Sequence, residues 1–182
     1  MGMHVGLRHA PVPPGVTIGL AEERRNVPHR VREETVAPLV VLVVSALVFW
    51  LAGRAGVAAL EDPGLVVRAA LATMFFLTAS AHWGKRRPDL IRMVPPAFPA
   101  PRLIVTATGL LEILGAIGLL LPWTARAACV CLALLLVALF PANVHAARRH
   151  MTIAGQRVPG VPLRSAIQLV FLGALIAAAW LR

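Results

Sequence analysis

Apolar residues fill five long stretches, roughly Val36–Gly53, Leu65–Trp83, Leu103–Leu121, Ala125–Ala147 and Ser165–Leu181, with polar residues in the gaps. A helix needs about 20 mainly apolar residues to cross about 30 Å of hydrocarbon, so each stretch is a candidate crossing. Five of them leave little chain for a water-soluble core. The expected class is an all-α integral membrane protein, with a membrane domain over 36–182 that has the bilayer as its first partner. Residues 1–35 hold Pro11, Pro13 and Pro14 and the mixed charges of Glu22–Arg25 and Arg30–Glu34. They have no long apolar run and so lack the core of a secretory signal peptide; a flexible cytoplasmic tail is expected there.

Charge adds a direction to this pattern. The formal net charge is +10 and the pI near 11.7, values that would suit a nucleic-acid binder if the basic residues shared a soluble face. They sit instead at the edges of the apolar stretches, so nucleic acid is not an expected partner. One side of the alternating loops carries Arg8, Arg24, Arg25, Arg30, Arg32, Lys85, Arg86, Arg87, Arg92, Arg102, Arg148, Arg149, Arg157 and Arg164; the other has Arg54, Arg68, Arg126 and Arg182. Cytoplasmic loops hold the excess of Lys and Arg. The N-terminus is therefore expected inside and the C-terminus outside, in a bacterial cytoplasmic (inner) membrane. Trp50, Trp83, Trp123 and Trp180 all fall at stretch ends, the headgroup level that an indole prefers.

Within the stretches the polar side chains are few, and such groups usually face a bundle interior. Glu112 lies about 15 Å from either surface at 1.5 Å per residue, where a carboxyl group is protonated or paired. Thr108, Glu112 and Gly115 share one helical stripe, the pattern of a close helix–helix contact. Glu112 is then either a structural tie between helices or a group that handles a proton or a ligand. His82, Asn143, His145 and Gln168 fall by the same count at one level near the inner surface, with Thr78 on the face of His82. Pro141 frees the carbonyl of Val137 in that region. The expectation is a polar pocket opening to the cytoplasm, lined by His82, Asn143 and Gln168, with Glu112 above it. His82 is its natural proton relay. Arg68, near the outer surface, is close to the limit of reach toward Glu112. Cys129 and Cys131, two apart on a helix, point to nearly opposite sides, do not easily share a metal, and read as small hydrophobes among Ala, Val and Leu. No metal is expected, and no soluble-enzyme motif is present, so any catalytic residue is unknown and enzyme activity is left open.

The run from Arg68 to His82, with Asp89-Leu-Ile-Arg-Met-Val-Pro-Pro96, resembles the DoxX-like membrane protein family. So do Thr108-Gly-Leu-Leu-Glu-Ile-Leu-Gly115 and Phe140-Pro-Ala-Asn-Val-His145. Thr78 stands where that family often has Gly. The resemblance covers about Leu65 to Trp180, including the closing Arg164 and Gln168, and implies a four-helix transmembrane bundle over 65–181, to which Val36–Gly53 adds an extra N-terminal transmembrane helix. It also implies a loose link to quinone-dependent redox metabolism. The expected function is a membrane subunit or a small-lipid or quinone-binding module, acting with a partner redox protein or as a homo-oligomer. Its ligand-binding or proton-handling candidates are Glu112, His82, Asn143, Gln168, Thr78, Arg68 and His145. Two alternatives stand beside it. One is a cytochrome-like subunit whose His82 and His145 ligate a haem, against which the Phe-Pro-x-Asn-x-His setting counts. The other is a small transporter, against which the lack of internal repeats counts.

Overall fold

The computed structural model describes residues 33–153 and 156–181. The tail expected over 1–35 lies outside them, apart from its last three residues, which already belong to the first helix. That helix, α1, spans Glu33–Arg54 and is followed by a 3-10 turn at Ala58–Glu61, then α2 (Pro63–Ser80), a short α3 (Arg87–Met93), α4 (Pro101–Leu120) and α5 (Ala125–Arg148). A small antiparallel pair, β1 (Thr152–Ile153) and β2 (Gln156–Arg157), precedes α6 (Val161–Trp180). Five of these helices are long and apolar enough to cross a membrane. Their limits differ from the apolar stretches by a few residues, with one consequential case: α2 ends at Ser80, so His82 and Trp83 lie in the turn after it.

Local chemistry sets several of these limits. The Asp62 carboxylate accepts hydrogen bonds from the backbone amides of Gly64 (2.8 Å) and Leu65 (3.1 Å), and Pro63 takes the first helical position, where no amide proton is needed. Proline also occupies the first turn of α3, α4 and α6. The same Asp62 carboxylate binds Arg68 Nη2 at 3.2 Å. Arg68 therefore closes the start of α2, and the reach toward Glu112 that its position suggested is not made. An acidic partner six residues away is simply nearer than one across the core.

α2 packs against α1, α4 and α6, and α5 packs against α4 and α6. The main apolar cluster includes Leu71, Met74, Phe75, Leu119, Leu132 and Leu175, all almost fully buried. Helices α4 and α5 approach closely because Gly115 lies against Leu132 and Gly118 against Ala128. A second small cluster of Met93, Ala146, Ala147 and Val158 holds α3 and the strand pair across the end where α2 and α5 finish.

The outer surface is inverted relative to a water-soluble protein. The two most apolar of the five long helices, α1 and α5, are the least buried, and the least apolar, α2, is the most buried. On α1 the exposed side chains Val40, Val43, Val44, Leu47, Val48 and Leu51 recur at three- and four-residue steps, which makes a continuous apolar stripe. Monomeric soluble proteins rarely expose such a surface. All four tryptophans are exposed at helix ends, and Trp180 lies under the Arg126 guanidinium at 5.6 Å.

Candidate functional site

Three polar side chains are buried among the described residues, His82, Glu112 and Gln168, and the site grows from the first two. After Ser80 the chain leaves the helix and turns, which lays His82 against α4. The imidazole sits over Gly109, where the missing side chain makes the room: a Cβ there would lie 2.7 Å from His82 Cβ and Cγ. His82 Nδ1 is 2.6 Å from the Val105 carbonyl oxygen. A carbonyl only accepts, so Nδ1 carries the proton. On the other side of the ring, Nε2 faces Glu112 Oε1 at 3.4 Å. The Thr78 hydroxyl donates to Glu112 Oε2 at 2.7 Å, with the Phe75 carbonyl at 3.0 Å as its alternative acceptor. Both carboxyl oxygens thus face a partner, and with Nδ1 protonated a single further proton on either Nε2 or Oε1 would make the contact attractive.

Arg87 fixes the turn that carries His82. Its guanidinium donates to the His82 carbonyl at 2.7 Å and to the Thr106 hydroxyl at 2.8 Å, so the end of α2 is stitched to α4 outside the buried pair. Thr108 completes the surroundings, its hydroxyl bonding the Val105 carbonyl at 3.1 Å and lying 3.5 Å from His82 Nδ1.

Thr78, His82, Glu112 and Asn143 all line one cavity of about 350 Å³ whose walls are mostly apolar, including Met74, Phe75, Leu136, Leu139 and Phe171. Helices α2, α4, α5 and α6 contribute, with α3 and the first turns of α1 at its margin. A ligand pocket is typically about 300–1,000 Å³, apolar with a few placed polar groups, so this cavity is of the right kind. Arg164, near the start of α6, also lines it and donates through Nη1 to Asn143 Oδ1 at 2.7 Å.

The remaining candidates are placed differently from the sequence expectation. Gln168 is buried but is not part of the cavity wall; its Nε2 donates to the Leu136 carbonyl at 3.0 Å. That carbonyl is the neighbour of Val137, the one Pro141 was expected to release. A proline ring crowds the carbonyl four residues back and loosens that turn, and Gln168 binds in that turn. His145 is half-buried and away from the cavity, and Arg68 lies at the Asp62 end. His82 and Asn143 share the cavity without bonding each other. Glu112 does not sit a level above His82 but faces it at 3.4 Å, the turn after Ser80 running on through i→i−3 backbone bonds with His82 laid against α4. Gly115, expected on the stripe of Glu112 and Thr108, meets α5, whereas Thr108 and Glu112 meet His82.

Neither Arg87 nor Arg164 is a site candidate in the sequence: both count there as loop charges, and Arg164 otherwise only closes, with Gln168, the stretch that resembles DoxX-like proteins. For Arg164 a signal was available: it precedes Gln168 by four residues and so shares its helix face. A haem held between His82 and His145 has no support in this geometry, since both His82 nitrogens already face protein oxygens.

No curated protein and no solved structure matches the chain. A family model described as a domain of unknown function, DUF8561, matches residues 71–182, more than half of the sequence. The match begins within α2 and runs through α6, so it takes in the His82–Glu112 pair and the Asn143–Arg164 contact and leaves α1 outside; the chain belongs to the DUF8561 family.

Proposed function

We propose that the protein is a multi-pass inner-membrane binding module for a small lipid or quinone, built as a four-helix transmembrane bundle of α2, α4, α5 and α6 with α1 as an added helix. The observation that carries this reading is the cavity. It is apolar enough for a hydrocarbon or isoprenoid chain, and it presents two polar poles, Glu112 with His82 and Thr78, and Asn143 with Arg164. Burying such groups in an apolar medium is costly unless they are used or paired. The Glu112–His82 contact is also suited to proton handling, because a single proton can sit on either partner. The redox association rests on the resemblance to DoxX-like proteins, whose residues in this chain include Thr108, Glu112 and Asn143.

Purification in a mild detergent followed by solvent extraction and mass spectrometry tests the binding reading. One quinone or lipid molecule retained per chain is the expected result. A protein that carries none, and that takes up neither added ubiquinone nor added lipid, would remove it. The orientation is tested separately. The basic-residue excess supports an orientation with the ends of α2 and α5 and the starts of α4 and α6 in the cytoplasm, in which a reporter fused after Arg182 is expected to be active only when it is one that works in the periplasm. Activity of a cytoplasm-dependent reporter there would reverse the assignment.

A further inference from the structure

We infer that the ligand of the cavity is an acidic amphiphile, a single acyl chain ending in a carboxylate or phosphate group, whose acid binds Arg164 while the chain lies between α2, α5 and α6. The inference rests on the proposed reading of the cavity as a ligand site and deepens it by naming the ligand class.

Charge is the first argument. The ionisable side chains on the cavity wall are His82, Glu112, Arg86 and Arg164. Glu112 is the one acid among them, and His82 and Thr78 already occupy both of its oxygens. With one proton between Glu112 and His82 that pair is neutral in sum, wherever the proton resides. Arg164 is then a cation with no carboxylate within salt-bridge distance among the described residues; it donates to the neutral amide of Asn143. Arg86 has an interaction of its own, so Arg164 is the cation the argument rests on, and a cation facing a low-dielectric cavity calls for an anion.

Geometry is the second. Arg164 Nε is buried and has no hydrogen-bond partner among the described residues. Nε belongs to the side-on face of the guanidinium, the face that takes two oxygens of a carboxylate or phosphate at once. Asn143 engages Nη1 and so holds the group in orientation while leaving that face unused. An unpaired buried donor is costly, and a small rotation of the guanidinium toward the cavity would let an acid oxygen pair it. Much of the rest of the wall is apolar, with Met74, Phe75, Leu139 and Phe171 available to a hydrocarbon chain. A free inorganic anion would use Arg164 and waste that wall, so the observations favour the lipid.

The test uses the full chain in detergent and native mass spectrometry with three probes: palmitate, hexadecanol and inorganic phosphate. Palmitate is expected to bind one per chain and about tenfold or more tighter than the alcohol of equal length, as a charge-assisted hydrogen bond supplies. Arg164→Gln should bring the two within about twofold of each other, and Arg164→Lys should keep part of the preference because it keeps the charge. If Arg164→Gln does not fold, the wild-type ratio alone decides. Equal binding of palmitate and hexadecanol overturns the inference and leaves the cavity reading intact. Binding of neither overturns the cavity reading itself. Phosphate binding as tightly as palmitate keeps the acid on Arg164 and overturns the lipid as its source.

Discussion

Glu112→Leu is expected to destabilise the protein strongly, and Glu112→Gln to leave it nearly unchanged. In the wild type the carboxyl group meets His82 Nε2 and the Thr78 hydroxyl. Leucine removes both partners. Thr78 recovers by donating to the Phe75 carbonyl 3.0 Å away, but His82 Nε2 loses its Glu112 partner and stays buried against a methyl group. Breaking one side of a buried pair costs about 3–5 kcal/mol, and an unpaired neutral group about 1–3 kcal/mol. A loss near 3 kcal/mol corresponds to a fall in Tm of roughly 6–12 °C for a chain of this size. Glutamine behaves differently because every bond survives: its carbonyl oxygen accepts from Thr78, its amide donates to the Nε2 lone pair, and Nδ1 keeps the Val105 carbonyl. What glutamine lacks is the transferable proton. Thermal unfolding in detergent checks the first half, and equal stability of all three proteins would remove Glu112 from the set of groups that hold α2 to α4. If Glu112→Gln keeps the fold and the ligand but abolishes a proton-coupled activity, the proton is the working part.

The five long helices could be read in the sequence because a bilayer-length apolar stretch leaves few other solutions. The exposed valine and leucine stripe of α1 is the same fact viewed from outside. What depth counting missed was contact. It placed His82 about 10 Å below Glu112 along the membrane normal, on the premise that the second apolar stretch stays helical through Trp83. The α-helix stops at Ser80, the chain winds on in i→i−3 turns, and His82 lies within 3.4 Å of the carboxyl group. Gly109 makes room for that turn and Arg87 anchors it, and neither role has a periodicity to announce it. Arg68 shows the opposite case. Its partner Asp62 was visible as an acid directly before a proline that opens a helix, a local capping signal, but attention to the rare mid-membrane acid drew the arginine toward Glu112. Arg164 was hidden by its usefulness elsewhere: a basic residue beside a loop is normally evidence of sidedness, and only the packing of α5 against α6 turns it toward Asn143. The seven-residue α3 and the strand pair were not anticipated, since segments this short are set by the cluster around Met93 and Val158 rather than by a pattern of their own.

Two glycine-to-alanine substitutions should move stability in opposite directions. Gly109→Ala places a methyl group 2.7 Å from His82 Cβ and Cγ and 2.8 Å from Trp83 Cη2, closer than carbon atoms tolerate. His82 Cβ is one bond from the backbone and does not swing aside. Either α4 withdraws from the turn after α2, or His82 leaves its place and gives up the Val105 and Glu112 contacts together. Overpacking of this kind costs about 1–3 kcal/mol, and the loss of the buried pair adds to it. Gly173→Ala, in the exposed face of α6, meets nothing within 4 Å, so the ordinary helix preference for alanine applies and stability should rise by about 0.5–1 kcal/mol. Thermal unfolding of the two variants side by side in the same detergent reads both signs. A Gly109→Ala protein as stable as the wild type would mean that the His82 turn does not rest on α4. In that event the Glu112–His82 contact, and the proton position it defines, would no longer follow from the packing of these two helices.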